Sequence, residues 1–125
     1  MRKSIDAWNA ACNAVVDIVD AGSLYSSGKL NLYDADSTII TSLPLSYPAF
    51  MDATDGTSYA NMVYDATAYR DATAALYDVL NRDSSVVWDG SVSTYSGIGD
   101  WKLNSVIIYK DSTVAVSNFY YAVPR

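Results

Sequence analysis

The sequence contains no histidine, no glutamate and no glutamine, and Cys12 is its one cysteine. Histidine is the side chain that titrates near neutral pH and most often serves as general base or metal ligand. A single cysteine can form neither an internal disulfide nor a multi-cysteine metal site. Glutamate and glutamine are good helix formers, whereas the abundant Asp, Ser, Thr and Asn favour turns. We therefore expect a chain of strands and turns with no catalytic residues, no bound metal and no cofactor.

Positive charge and long apolar runs are also scarce. Eight scattered basic residues stand against fourteen acidic ones, all aspartate, for a net charge of −6. Such a chain repels nucleic acid backbones and anionic lipid surfaces. No apolar run approaches the roughly 20 residues that span a bilayer, and Asp6 and Asn9 interrupt what would be the apolar stretch of a signal peptide. We expect no nucleic acid partner, no membrane contact, synthesis in a cytoplasm and no export by the signal-peptide route.

The first segment with a clear period is helical. Spacings of three and four place one set of residues on a single stripe over residues 5–21: Ile5, Trp8, Cys12, Val15 and Val19. The opposite stripe is polar: Asp6, Asn9, Asn13, Asp17 and Asp20. Ser4 suits the N-cap and Gly22 the C-terminal stop. We predict an amphipathic helix that lies across a sheet with Trp8 buried.

The rest of the chain reads as short strands separated by turns. The predicted strands are residues 29–33, 38–45, 59–64 and 86–92. Turn residues occupy 34–37 and 55–56, and Pro44 places its strand at an edge or a bulge. Two runs of alternating apolar residues, 101–110 and 113–124, flank Asp111-Ser112 and predict an antiparallel hairpin. Residues 72–80 fit a helical period, but alternate residues also fit a strand, and we follow the strand interpretation.

These elements define the expected fold. Seven or so strands with turns every 8–12 residues are typical of an antiparallel sandwich or a jelly-roll-like barrel. A chain of 125 residues buries roughly two-thirds of its unfolded surface, which is enough for a core without disulfides. We therefore predict a mainly β single domain over residues 1–125, with an N-terminal helix at 5–21 and a β-sandwich at 29–125.

The aspartates offer few patterns that predict chemistry. Asp34-x-Asp36-x-Thr38 resembles the opening of an EF-hand loop, but Ile39 and Leu45 occupy the positions of its glycine and its glutamate. An aspartate-rich turn is the better interpretation. A pair of carboxylates could in principle catalyse hydrolysis, so an aspartate-based hydrolase is one alternative. Arg70-Asp71 and Arg82-Asp83 are interpreted as exposed loop charges.

The eleven tyrosines and three tryptophans are the most suggestive group. Exposed aromatic residues favour protein interfaces, or stacking on sugar rings. Tyr120 and Tyr121 are adjacent on a predicted strand, so they point to opposite faces, one to the core and one to a neighbour. The candidate assembly interface comprises five residues: Tyr25, Tyr95, Trp101, Tyr120 and Tyr121. A carbohydrate-binding module that stacks sugars on Tyr25, Tyr95 or Trp101 is the alternative.

Several segments together resemble small structural proteins of tailed bacteriophages. After the amphipathic helix they are residues 28–34, 43–50, 55–57, 60–65, 74–78, 86–92 and 103–106. The resemblance covers nearly the whole chain in order, and each segment alone is generic. The sequence departs from the pattern at Lys110–Thr113, where relatives often have glycine, and in the Tyr69–Ala72 loop, where smaller residues are typical.

The resemblance implies a β-sandwich component of a virion and carries over no catalytic residues. The expected function is a non-enzymatic capsid decoration or cement protein, with a tail or baseplate component as the alternative. Its expected partners are other virion proteins, either the major capsid protein or tail proteins, and further copies of itself in a homo-oligomer or in symmetric positions. Its expected location is the virion, assembled in the cytoplasm of the bacterial host.

Overall fold

The computed structural model describes residues 4–94, 97, 101–103, 105–116 and 118–123, and within them the protein is mainly β with one N-terminal helix. Helix α1 is Ile5–Val19. The strands are β1 (Lys29–Tyr33), β2 (Ile39–Pro44), β3 (Thr57–Tyr59), β4 (Ala66–Thr67), β5 (Ala72–Thr73), β6 (Leu76–Leu80), β7 (Val86–Thr94), β8 (Trp101–Leu103), β9 (Ile107–Ile108), β10 (Thr113–Val114) and β11 (Tyr120–Ala122).

The helix begins as predicted and ends two residues early. The Ser4 hydroxyl accepts a hydrogen bond from the backbone N–H of Ala7 at 3.1 Å, which confirms its role as N-cap. The helix ends at Val19 with Asp20 as its C-cap. Trp8 is half-buried rather than buried, and its ring lies beside Gly56. None of the helices among the described residues is long and apolar enough to cross a membrane.

The buried face of α1 is rotated from the predicted stripe. Ile5 is exposed, and the buried residues are Cys12, Val16 and Val19. The side chains of Asn9, Asn13 and Asp20, predicted to face solvent, accept hydrogen bonds of 2.9 Å from backbone N–H groups of residues 49–56. The donors are, in that order, Gly56, Ala53 and Ala49. The stripe prediction was right for Cys12 and Val19 and wrong for Ile5. Periodicity cannot tell polar side chains that hold a neighbouring loop from solvated ones.

We expect Asn13→Ala to lower the free energy of unfolding by about 1 kcal/mol, because it leaves the half-buried N–H of Ala53 without its acceptor. The matched control is Asp17→Ala on the exposed side of α1, which we expect to cause no loss. Urea denaturation of the three proteins measures both effects. Equal stability of the Asn13 and Asp17 variants would show that these hydrogen bonds do not hold the loop on the helix.

Five strands form the main sheet in the order β2-β1-β6-β7-β8. All neighbours are antiparallel except β7 and β8, which are parallel. Pro44 ends the edge strand β2, as its missing N–H requires. Residues 72–80 form β5 and β6, so the strand interpretation is confirmed and the helical one is wrong. The helical period there combines Ala72 of β5, Ala75 of the link between the strands and apolar residues of β6.

The main sheet has an inner and an outer face. Leu30 and Leu32 of β1 and Val79 of β6 point inward and are fully buried. Lys29, Asn31 and Tyr33 alternate with them along β1 and therefore belong to the outer face. The inner face packs into one hydrophobic cluster with residues of α1 and of three two-stranded ribbons, which are β3-β11, β4-β10 and β5-β9.

The predicted C-terminal hairpin is wrong. Its turn exists, since Asp111 has a φ of 66° and the Ser112 N–H donates to the Tyr109 carbonyl at 3.1 Å. The flanking residues then separate into four short strands with different partners: β8 pairs with β7, β9 with β5, β10 with β4 and β11 with β3. Alternation predicts extended backbone and its two faces, but it does not predict which strand will be the partner.

Candidate functional site

The five predicted interface residues separate into surface and core. Tyr25 and Tyr120 are exposed, whereas Tyr121 is half-buried and packs against Trp88 with ring centroids 4.8 Å apart. The opposite orientations predicted for Tyr120 and Tyr121 are confirmed. Trp101 is only 8% exposed and lies in the aromatic core, so we remove it from the candidate surface. Tyr95 lies outside the described residues.

An aromatic cluster explains the position of Trp101. Its ring meets Phe119 edge-on at 5.0 Å and Tyr77 edge-on at 5.4 Å. Phe119 also contacts Phe50 and Trp88, each with centroids 6.2 Å apart. A tryptophan that is packed on several aromatic rings buries a large apolar area. Loss of this packing would cost more stability than a surface contact could return, so Trp101 is a core residue.

The exposed residue Tyr120 belongs to a row that we call the ribbon surface: Met51, Tyr59 and Tyr120. Tyr59 and Tyr120 are directly paired across β3 and β11, with ring centroids 5.6 Å apart. The Met51 N–H donates to the Tyr59 carbonyl at 2.9 Å, which places Met51 beside Tyr59 on the other side of β3. All three side chains are more than half exposed. Tyrosine and methionine are enriched in protein interfaces, so this row has the composition of a binding surface.

A second group lies where β1 begins and β6 ends, with two exposed tyrosines and two half-buried cations, and we call it the cationic end: Tyr25, Lys29, Tyr47 and Arg82. The Lys29 ammonium stands 3.7 Å from the centre of the Tyr25 ring, and the Arg82 guanidinium 4.9 Å from that of Tyr47. Arg82 Nε also donates to the Tyr25 carbonyl at 2.8 Å. These contacts hold both cations in place at the surface.

A polar row crosses the outer face of the main sheet. Strand register places Ser42, Asn31, Asp78 and Asp89 side by side on four successive strands. The Tyr33 hydroxyl donates to Asp78 Oδ2 at 3.0 Å and accepts from Asn31 Nδ2 at 3.3 Å. Asn31 Oδ1 and Asp78 Oδ1 are buried and have no hydrogen-bond partner in the described chain. Buried acceptors without donors are rare in proteins, so this row calls for an explanation.

Burial and neighbouring charge shift the pKa of one carboxyl group in the polar row, that of Asp78. Burial raises the pKa of Asp78 above its ordinary value, and the neighbouring Asp89 carboxylate raises it further, while the Tyr33 hydroxyl opposes both effects. An open cleft of about 480 Å³ lies over this part of the sheet, lined by Tyr33, Asp78 and Asp89 among others. The sequence did not predict this pairing, because it depends on the register between β6 and β7.

The pairing of Asp78 with Asp89 does not place Asp78 to donate a proton to a substrate. Its Oδ1 is buried, and its Oδ2 accepts the Tyr33 hydrogen bond. A general acid needs an oxygen within hydrogen-bond reach of the leaving group. Among the described residues no group of three or more His, Cys, Asp or Glu side chains is placed to hold a metal ion.

The charged loop residues have structural contacts, which corrects their interpretation as simply exposed charges. Arg70 forms an ion pair with Asp34, whose other oxygen accepts from the N–H groups of Asp36 and Thr38 at 2.9 Å each. The Arg70 guanidinium holds the pKa of Asp34 below its ordinary value. Asp83 accepts from the N–H groups of residues 23 and 24. The Asp34–Asp36 motif is thus a turn closed by its own aspartate, as the sequence indicated.

Comparisons with known proteins do not extend this description. No family model, curated protein or solved structure matches this chain.

Proposed function

We propose that this protein is a non-enzymatic structural component of a tailed-phage particle that decorates or cements the capsid. The observation that carries the proposal is the ribbon surface, where Met51, Tyr59 and Tyr120 are exposed side by side. Large aromatic side chains held on paired strands bind with little loss of conformational freedom. The phage-like order of sequence segments supports the same function.

The proposal gives the fold a scaffolding role. In it, the five-stranded sheet and the three short ribbons act as the two layers of a sandwich around the core. The rigid layers present the ribbon surface to a neighbouring subunit of the shell, and no step requires catalysis. Many copies on one particle add their contacts through multivalency, so each contact needs only modest affinity.

The first test is mass spectrometry of purified particles of the phage whose genome encodes the chain. We expect the protein in a constant ratio to the major capsid protein. Its absence from the particles would contradict the proposal. Recovery with isolated tails rather than with heads would favour the tail or baseplate alternative.

The second test asks whether the ribbon surface makes the contact. We expect Tyr59→Ser with Tyr120→Ser to weaken binding of purified protein to particles that lack it by at least about tenfold, because buried tyrosines are common hot spots. The matched control is Tyr109→Ser, which removes a more exposed tyrosine from a different part of the surface. Equal loss of binding in the control would show that the ribbon surface is not the specific contact. Binding to an array of sugars by the unmodified protein, lost in Tyr25→Ala, would instead favour the carbohydrate-binding alternative.

A further inference from the structure

The polar row and the cationic end lie on the same face of the main sheet. Lys29 and Asn31 are two residues apart on β1, and their side chains share the outer face. Two residues of strand correspond to about 7 Å. Lys29 is paired with Leu80, and Arg82 follows two residues later. One end of this face is therefore positive and its middle is negative.

Two acceptor oxygens in the middle of the face have no donor among the described residues. Asn31 is 5% exposed, yet its Oδ1 has no partner, and neither has Asp78 Oδ1. Asp89 is exposed, and neither carboxylate forms an ion pair with a described residue. Two carboxylates that face each other across paired strands repel one another. A cation that enters the cleft from outside would reach the exposed Asp89 carboxylate and offset this repulsion.

Two of the other three described cations are held by contacts elsewhere in the fold, and the third, Lys110, is exposed beside the turn at Asp111. Arg70 binds Asp34, and the Lys102 ammonium contacts Ser93 and the Gly97 carbonyl. Lys29 and Arg82 stand on tyrosine rings at the edge of the outer face. Their charges are fixed near the surface and form no ion pair among the described residues, and the Arg82 charge acts on the nearby carboxylates of Asp20 and Asp83.

We infer that the outer face of the main sheet binds the same face of a second copy of this chain. A symmetric dimer interface must contain its own complement, and this face does. In such a dimer the two-fold axis lies between the two facing sheets and is perpendicular to their strands. The rotation turns the two outer faces toward each other and makes the strands of one copy run opposite to those of the other. It therefore brings Lys29 and Arg82 of each copy over Asn31, Asp78 and the cleft of the other. This inference goes beyond the proposed function and does not depend on it.

The size of the face sets the expected strength. Four strands spaced about 4.8 Å apart, over five residues of about 3.3 Å each, cover roughly 300 Å². Stable dimers bury about 800 Å² on each partner. We therefore expect a weak, rapidly reversible dimer that forms at high protein concentration. Because opposite charges dominate the contact, it should weaken as ionic strength rises.

Sedimentation velocity over a range of protein and salt concentrations tests the inference. We expect dimers whose dissociation constant rises at least tenfold in Asp89→Lys, since the exposed Asp89 side chain then repels the cations of the other copy. Asp65→Lys makes the same change of charge at an exposed residue that does not line the cleft and should leave the dimer unchanged. Lys29→Asp alone should weaken it, and Lys29→Asp with Asp89→Lys should restore it. Circular dichroism checks that each variant is folded.

Three results would overturn the inference. The first is an unmodified protein that stays monomeric up to millimolar concentration in low salt. The second is an equal effect of Asp65→Lys and Asp89→Lys, which would show that net charge alone controls association. The third is a dimer that survives Asp89→Lys and dissociates in Tyr120→Ser, which would place the contact at the ribbon surface. All these measurements use purified protein, so they are independent of whether the chain is found in phage particles.

Discussion

Replacing Phe119 by alanine is expected to lower the free energy of unfolding by about 3 to 5 kcal/mol. The Phe119 ring is 3% exposed and lies between four other aromatic rings, those of Phe50, Tyr77, Trp88 and Trp101. The large rings around it cannot close the space that alanine would leave, because each is also packed against other rings of the cluster. The cost therefore includes both lost apolar burial and a cavity.

Urea or thermal denaturation of the purified protein measures this loss. Tyr109→Ala removes an aromatic ring that is two-thirds exposed, so its effect should stay within about 0.5 kcal/mol. Phe119→Leu keeps part of the apolar volume and should fall between the two. A Phe119→Ala variant as stable as the Tyr109 control would mean that the aromatic cluster is not the core of the fold.

Gly28→Ala is expected to cost about 3 kcal/mol, near the upper end for an overpacked site. A Cβ atom at residue 28 would stand 2.6 Å from the Leu80 carbonyl oxygen and 2.6 Å from a methyl carbon of Val19. The carbonyl belongs to the backbone of β6, so it cannot turn aside as a side chain would. Glycine at this position lets the end of α1 approach the main sheet.

The matched control for Gly28 is its half-buried neighbour, Ser27→Ala, for which we expect little change in stability. A double-mutant cycle locates the cause: Val19→Ala with Gly28→Ala should lose less than the sum of the single losses, because Val19→Ala removes one of the two clashing groups. Strict additivity of the two losses would mean that Val19 and residue 28 do not meet.

Elements with a strong local signal were predicted well from the sequence. Ser4 and the apolar spacing of α1 located the helix within two residues, and residues 29–33 form β1 as predicted. Asp55-Gly56 forms its turn with φ values of 52° and 76°, conformations that glycine tolerates and aspartate accepts more readily than most residues. In each case the residues involved are neighbours in sequence, so local chemistry is sufficient.

The parts that depend on distant pairing could not be predicted. The C-terminal runs alternate as strands should, yet β9 pairs with β5 and β10 with β4. The polar row requires two registers at once, Asn31 opposite Asp78 and Asp78 opposite Asp89. A shift of one residue in either pairing would send Asp78 to the other face. Trp101 was assigned to the surface for a similar reason, since alternation does not say which face of β8 meets the core.

The pairing of β11 with β3 makes the ribbon surface depend on residues that are synthesised long after β3. Tyr59 obtains its partner Tyr120 only when residues 120–122 have left the ribosome and closed the long loop back to β3. Pairings between residues so far apart in sequence form slowly, because the loop must close before any contact stabilises it. A growing chain therefore cannot present the Tyr59–Tyr120 pair. Any process that recognises this pair would reject chains that stop before residue 120.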